Sequence, residues 1–406
     1  MTAGQRLVLV ETGAHQGGGH REHALGALAG ACRSPLVVAP YGVTAGAARA
    51  VDSSGARVVR PTGGLPGVLL AASRAAEVVS QVGQRVFASR RWPTVLRRSP
   101  HQVTLVARCL AEAACVRTAH RVGDGAPVVV LSASEALHAA AGLLGGPHVR
   151  FVHQINTTEG GPVHTLGRLA RQGRERVVVL APTAAVRAEL ADRFPGLCVR
   201  ERPFGVADRA ERLTEDERAQ ARARYGLDTG ETAVCLVGGW WPHKDLDVVD
   251  RALAQLEAPL HVLVVGHPLD VPMLKRWAAM PKVRLHAVPG AASPERVRAV
   301  YAAADAALVA RRPGVAMESG LVVDAVRLGV PLLLSDHDPG LTQRVGSADW
   351  LRMFPAGDSG RLTALLTDLV WSPLPRPEPH AAAELGVPTA ASQVAWLSRL
   401  ASKGTS

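Results

Sequence analysis

Six side chains combine a charge or a titratable ring with a position that gives it something to do: Lys244, Arg311, Arg312, Glu318, Asp324 and His153. Four of them lie in the stretch from Arg311 to Ser335. There two arginines and a Pro-Gly turn lead to Glu318, and Ser319-Gly320 opens an apolar run through Leu321, Val322, Val323, Ala325 and Val326. A serine before such a run predicts a helix N-cap, and Gly329 followed by Pro331 predicts its stop. The N–H groups at the start of a helix, with the positive end of its dipole, make a seat for phosphate, and Asp324 falls on the next turn, within reach of a sugar hydroxyl. Loop, acid, helix, acid and then the buried strand Pro331 to Leu334 together predict a nucleotide-sugar site.

Two further segments offer backbone or side chains to such a ligand. Thr232 to Val237 reads as a strand and ends in Gly238-Gly239-Trp240-Trp241-Pro242-His243-Lys244-Asp245. Lys244 is one of only four lysines among 46 basic residues. A compact ammonium approaches phosphate oxygens as a point charge, which arginine does not. Near the start, the strand Arg6 to Glu11 runs into Gly17-Gly18-Gly19 and then a helix, His20 to Ala31. Strand, glycine loop and helix let backbone approach a phosphate or sugar closely, but the spacing is neither a dinucleotide fingerprint nor a P-loop, so a tight turn fits equally well.

His153 stands just past the strand His148 to Val152, where α/β folds place ligands. The polar segment that follows, with Asn156 and Thr157, suits an acceptor and suits an exposed turn as well. Arg85, Arg90, Arg91, Arg97 and Arg98 cluster around Trp92 without an acid among them. A solvated helix face is the expectation there, with an acceptor or membrane-surface contact as the alternative.

The chain has 406 residues, 47% hydrophobic and 20% charged. That is globular and comfortable for two domains. No apolar segment has spanning length and no leader is visible, so the expected location is cytoplasmic and membrane association is not expected. Five scattered cysteines without CxxC spacing predict neither a disulfide framework nor a zinc site. The net charge of +11 favours an anionic small-molecule partner, while the sparse aromatics argue against a nucleic-acid stacking surface.

Strand-like runs at Pro35 to Ala39, Arg57 to Arg60, Pro127 to Leu131, Arg176 to Pro182, Leu197 to Glu201, Leu260 to Gly266, Val283 to Val288 and Asp305 to Val309 alternate with helical stretches. Such alternation predicts parallel sheets. A helix from Val68 to Arg98, broken at Pro93, and a second from His101 to Arg121 are expected. Three further helices are expected: Pro294 to Ala303, capped by Ser293; Asp358 to Leu369; and Pro388 to Leu400.

These segments resemble the retaining family four glycosyltransferases of GT-B fold. That family's pattern is a Glu, seven residues, a second Glu, then Ala and Gly-Val-Pro. Here DAVRLGVP matches its tail, with Asp324 for the second acid, but Glu318 precedes Asp324 by a gap of five residues. Lys244 falls on the family's pyrophosphate lysine, whereas Gly239 falls on its arginine, for which Arg311 or Arg312 would substitute. VRFVHQ around His153 and Pro203 to Val206 also resemble family segments.

The resemblance implies two Rossmann-like domains facing across a cleft: residues 1–206 on the acceptor side, 207–385 holding the donor, and 386–406 as a helix crossing back. It implies a metal-independent, retaining transfer from a nucleotide-sugar, with UDP the expected nucleotide and GDP the other candidate. The acceptor would be a small soluble hydroxyl compound, as in secondary metabolism. The donor is then a substrate and no cofactor is expected. His153, Lys244 and Glu318 would be catalytic. Gly17 to Gly19, Gly238, Gly239, Arg311, Arg312, Ser319, Gly320, Leu321 and Asp324 would bind the donor. Asn156 and Thr157 would lie on the acceptor side. A nucleotide-sugar 2-epimerase of the same fold and a non-catalytic nucleotide-sugar-binding protein are the competing readings, and the oligomeric state stays open.

Overall fold

The computed structural model describes residues 6–15, 20–87, 89, 91–133, 138–155, 175–207, 212–290, 292–315 and 317–403. The chain forms two α/β units. One takes most of the chain as far as Phe204 together with the segment from Thr389 onward, and the other is made chiefly of Gly205–Pro388.

The first unit is built on seven parallel strands: β1 (Val8–Val10), β2 (Leu36–Val38), β3 (Arg57–Val59), β4 (Val128–Val130), β5 (His148–Phe151), β6 (Val177–Ala181) and β7 (Val199–Glu201). They stand in the order β3-β2-β1-β4-β5-β6-β7. The second is built on six: β8 (Ala233–Val237), β9 (Leu260–Gly266), β10 (Val283–Pro289), β11 (Ala306–Val309), β12 (Leu332–Ser335) and β13 (Leu351–Phe354), in the order β10-β9-β8-β11-β12-β13. Each sheet therefore reverses its direction of travel once, between β1 and β4 in the first and between β8 and β11 in the second. In open α/β sheets the carboxyl ends of the strands at such a reversal are where ligands bind.

Alternation within β8 shows how the sequence makes a two-sided sheet. Ala233, Cys235 and Val237 enter one core with Val322, Val323 and Val326, while Val234 and Leu236 enter the other with Val248 and Val249. A strand buried on both faces has no polar positions to alternate, which is why these strands read as unbroken apolar runs. β13, with Arg352 exposed at its centre, lacks that signature and was not expected as a strand.

In the first unit Arg150 is a charged residue buried within the sheet. It is 0% exposed at the centre of β5 and its Nη2 donates to Glu112 Oε2 at 2.6 Å, Glu112 being 1% exposed. Two helices depart from expectation. The first is longer at its start and ends earlier, Gly64–Phe87, and the second runs unbroken from Thr94 to Val122 through Pro100. Pro100 cannot donate to the Leu96 carbonyl, and the Ser99 hydroxyl does so instead at 2.8 Å, which helps the helix tolerate the proline. The final helix, Ala390–Lys403, belongs to the first unit, where Gln393 Oε1 accepts from Arg202 Nε at 2.6 Å and Arg202 lies over the Trp396 ring. No described helix is long and apolar enough to cross a membrane.

Candidate functional site

Lys244 reaches the reversal in the second sheet through the turn that leaves β8. Gly238 turns with φ +85°, a conformation that side chains resist, and the chain returns so that Lys244 pairs with Arg311 in an antiparallel bridge. The flanking bonds fit that pairing: Asp245 N donates to Ala310 O at 3.1 Å and Arg312 N to His243 O at 3.0 Å. Lys244 Nζ donates to the carbonyls of Val237 at 2.7 Å and Gly238 at 3.1 Å. An ammonium has three donors, so one is left after these two bonds.

Arg311 extends from the end of β11 and is 5% exposed. Its backbone N donates to Ser335 Oγ, at the end of β12, at 2.9 Å, and its Nη1 to Met317 O at 2.9 Å. Its Nε is buried without a hydrogen-bond partner. Arg312 behaves differently. It is exposed, with Nη2 on Asp247 at 3.2 Å and Nε on Pro242 O at 3.0 Å, so of the two arginines it is Arg311 that stands beside the lysine.

Burial weakens both cations. Burial, and then the charge of Arg311, lowers the Lys244 pKa to about 7. Burial lowers Arg311 to about 10, with Asp338 and Glu318 acting in the opposite direction. His243 is lowered to about 4, by burial and then by Arg311, Lys244 and His337, and is neutral at neutral pH. Positive charge this poorly compensated suits an anion.

Gly239 explains why no arginine precedes the lysine as in the family pattern. A Cβ built there would lie 2.2 Å from the backbone oxygen of His267, so no side chain fits without moving the β9 turn. The cation bridged to Lys244 is Arg311, just past β11.

The helix expected after Ser319 runs Gly320–Leu328 and ends at Gly329 with φ +75°. Ser319 is its N-cap by position, and the Ser319 carbonyl accepts from Val322 and Val323, but its side chain makes no capping bond. Ser319 is 5% exposed and its Oγ has no hydrogen-bond partner. Leu321 closes toward the turn: a Cβ built on Gly238 would sit 3.8 Å from Leu321 Cδ2 and 3.3 Å from Lys244 Nζ. The lysine turn and the helix start thus border one another through Gly238. Asp324, 8% exposed, is held by Arg327 Nε at 3.0 Å one turn later.

His153 stands just past β5, its Nε2 2.8 Å from Leu131 O and its ring edge-on to Phe204 at 4.4 Å. That bond and that contact fix its ring within the first unit. Gly17, Gly18, Gly19, Asn156 and Thr157 lie outside the described residues.

His337 was missed. It is 4% exposed just past β12, with Nδ1 2.8 Å from Ser335 O and 3.0 Å from Ser335 Oγ, and its Nε2 has no partner. Burial, then Arg311, lowers its pKa to about 4. A carbonyl only accepts, so Nδ1 carries the proton of the neutral ring and Nε2 is an acceptor. The rule that singled out His153, a histidine past a strand's carboxyl end, would have found it. Two weakened cations, a helix start and an acceptor imidazole together can bind a phosphate ester that also bears hydroxyl groups.

No family model matches the chain. It is similar to D-inositol 3-phosphate glycosyltransferases. The protein of Rhodococcus jostii is 35% identical over 183 residues, 39% of this chain and 40% of the relative. That of Nocardia farcinica is 36% identical over 140 residues, 31% and 30%. The chain thus spans well under half the length of these curated relatives. Among solved structures it superposes on Anabaena HepE in complex with UDP-glucose with a TM-score of 0.61 at 14% identity, covering 98% of both chains. It superposes on WaaG, a glycosyltransferase involved in lipopolysaccharide biosynthesis, with a TM-score of 0.53 at 13% identity, covering 98% of both. At such identity the likeness establishes the fold, which is that of the GT-B glycosyltransferases, two parallel-sheet α/β domains.

Proposed function

We propose that this chain, a GT-B-fold protein, transfers a sugar from a nucleotide-sugar donor to the hydroxyl of a small acceptor, with retention at the anomeric carbon and without a metal. The observation that carries the reading is the pairing of Lys244 with Arg311 where the second sheet reverses, bordered by the start of the helix Gly320–Leu328. Similarity to curated glycosyltransferases and to a neighbour solved with UDP-glucose supports it and favours UDP as the nucleotide.

In this reading the bond between the anomeric carbon and the β-phosphate oxygen breaks and negative charge develops on the departing diphosphate. Lys244, Arg311 and the N–H groups after Ser319 already face that charge, so little reorganisation is required when it forms. The acceptor oxygen bonds to the anomeric carbon on the face the phosphate leaves, and its proton passes to the leaving phosphate oxygen, so no separate base is required. Asp324, oriented by Arg327, holds the ribose, and Glu318, placed near enough to Arg311 to influence it, holds sugar hydroxyls.

The relatives' name and the charge of +11 make a cyclitol phosphate the first acceptor to try. The test is incubation of the purified chain with UDP- and GDP-sugars and a panel of small hydroxyl compounds, with and without a chelator. The expected result is chelator-insensitive release of nucleoside diphosphate, with an α-linked product from an α-linked donor. Epimer formation without transfer assigns the chain to a 2-epimerase, and tight donor binding without turnover makes it a binding protein.

A further inference from the structure

The helix Gly64–Phe87 leaves an apolar stripe outside its buried face. The buried face carries Leu69 and Leu70 and, further along, Ser73 and Ser80, whose hydroxyls donate to Ala107 O at 2.8 Å and Pro100 O at 2.7 Å on the neighbouring helix Thr94–Val122. The stripe runs along the outer side. Leu65, Val68, Val79, Val82 and Val86 recur at three- and four-residue multiples, the valines 52% to 64% exposed, with exposed Ala72 and Ala75 in the turns between. An amphipathic helix facing water keeps its outer face polar. Spanning residues 65 to 86, the stripe is roughly 32 Å long, a continuous patch of the kind that marks a contact surface.

Charge selects what covers it. Arg74, Arg85, Arg91, Arg97 and Arg98 are exposed on this helix and around the connection to the next, where Trp92 is 40% exposed. Glu77 is the acid of the helix, and its carboxylate accepts from Tyr41 Oη at 3.3 Å. A second copy of this face would set arginine against arginine. An anionic bilayer surface supplies an apolar boundary for the valines and phosphates for the guanidinium groups together.

We infer that the outer face of Gly64–Phe87 docks on an anionic lipid surface, the valine stripe at the acyl boundary and the arginines among the headgroups. The helix lies along the surface and does not cross it, since it is not apolar enough for a span. Valine and alanine are short, so the apolar contribution alone is modest and binding depends on both features. The surface lies on a different unit from the Lys244 site and does not depend on the transfer reading.

The full chain is sedimented with phosphatidylcholine vesicles and with vesicles rich in phosphatidylglycerol. The wild type should pellet with the anionic vesicles only, and less so at high salt. The triple variant Val79→Gln, Val82→Gln, Val86→Gln and the quadruple variant Arg85→Gln, Arg91→Gln, Arg97→Gln, Arg98→Gln should each lower partitioning by at least about tenfold. Unchanged thermal midpoints would show that both variants fold. Wild-type protein remaining in the supernatant with anionic vesicles overturns the inference, as do variants that pellet like wild type. A dimer in analytical ultracentrifugation that the valine variant dissolves also overturns it and gives the face to a second copy.

Discussion

Lys244 and Arg311 are joined backbone to backbone across the point where the second sheet reverses, so their side chains cannot separate without breaking a strand-end bridge. Such a pair can meet a diphosphate without either member searching for its place. Removal of one positive partner at a transferring phosphate raises the barrier by a few kcal/mol. Lys244→Ala should therefore lower kcat by about two to three orders of magnitude. Steady-state release of UDP measures it, and wild-type turnover by the variant would remove the lysine from the mechanism.

On the proposed reading, the same pairing should make donor binding a proton-linked event. With its pKa near 7, Lys244 is fully charged below that value and loses its proton above it. A bound diphosphate favours the charged form, so the complex holds a proton that the free protein has lost. Affinity for UDP should be level below pH 7 and fall with rising pH above it, approaching tenfold per unit. Titration calorimetry in buffers of different ionisation enthalpy should register proton uptake above pH 7. Lys244→Arg, charged throughout this range, should abolish the uptake; uptake that persists in that variant would place the titrating group elsewhere.

Gly239→Arg restores the family pattern in sequence but not in space. With His267 O at 2.2 Å from the built Cβ, the turn must open, and the variant should lose about 1–3 kcal/mol of stability and gain no activity. Thermal unfolding with an activity assay tests both parts, and a faster enzyme would show that the turn yields easily.

The Arg150–Glu112 pair gives a prediction for the first unit. Glu112→Ala leaves a guanidinium in a place that is 0% exposed, and should destabilise by about 3–5 kcal/mol. Removing both charges, as in Arg150→Met with Glu112→Leu, should be far milder. Urea unfolding of the two variants gives the comparison, and equal losses would mean that packing, not charge, is what the site requires.

Much of this architecture was open to reading from local pattern. β9 and the helix Pro294–Ala303 fall on their expected residues, because an apolar run buried on both faces and a Ser293 cap before Pro294 need no distant partner to be recognised. Gly329 ended its helix for the same local reason, with the positive φ that its type permits. The helix Thr94–Val122 shows where pattern failed. One helical stretch was expected to end at Arg98 and the next to begin at His101, yet the helix runs unbroken through Pro100, and the Ser99 hydroxyl on Leu96 O helps it tolerate the proline.

The sequence by itself determined the alternation that makes two parallel sheets, the lysine turn after β8 and the helix start after Ser319, because each depends on residues within a few positions of one another. Tertiary structure alone decided that Arg311 and not Arg312 stands with Lys244, that His267 leaves Gly239 no room for a side chain, and that His337 comes up beside them. It also decided that the serines of Gly64–Phe87 turn inward and its valines outward. Each of these follows from which strand ends or helices become neighbours, and close packing of segments distant in the chain settles that, where periodicity and caps record only what is near.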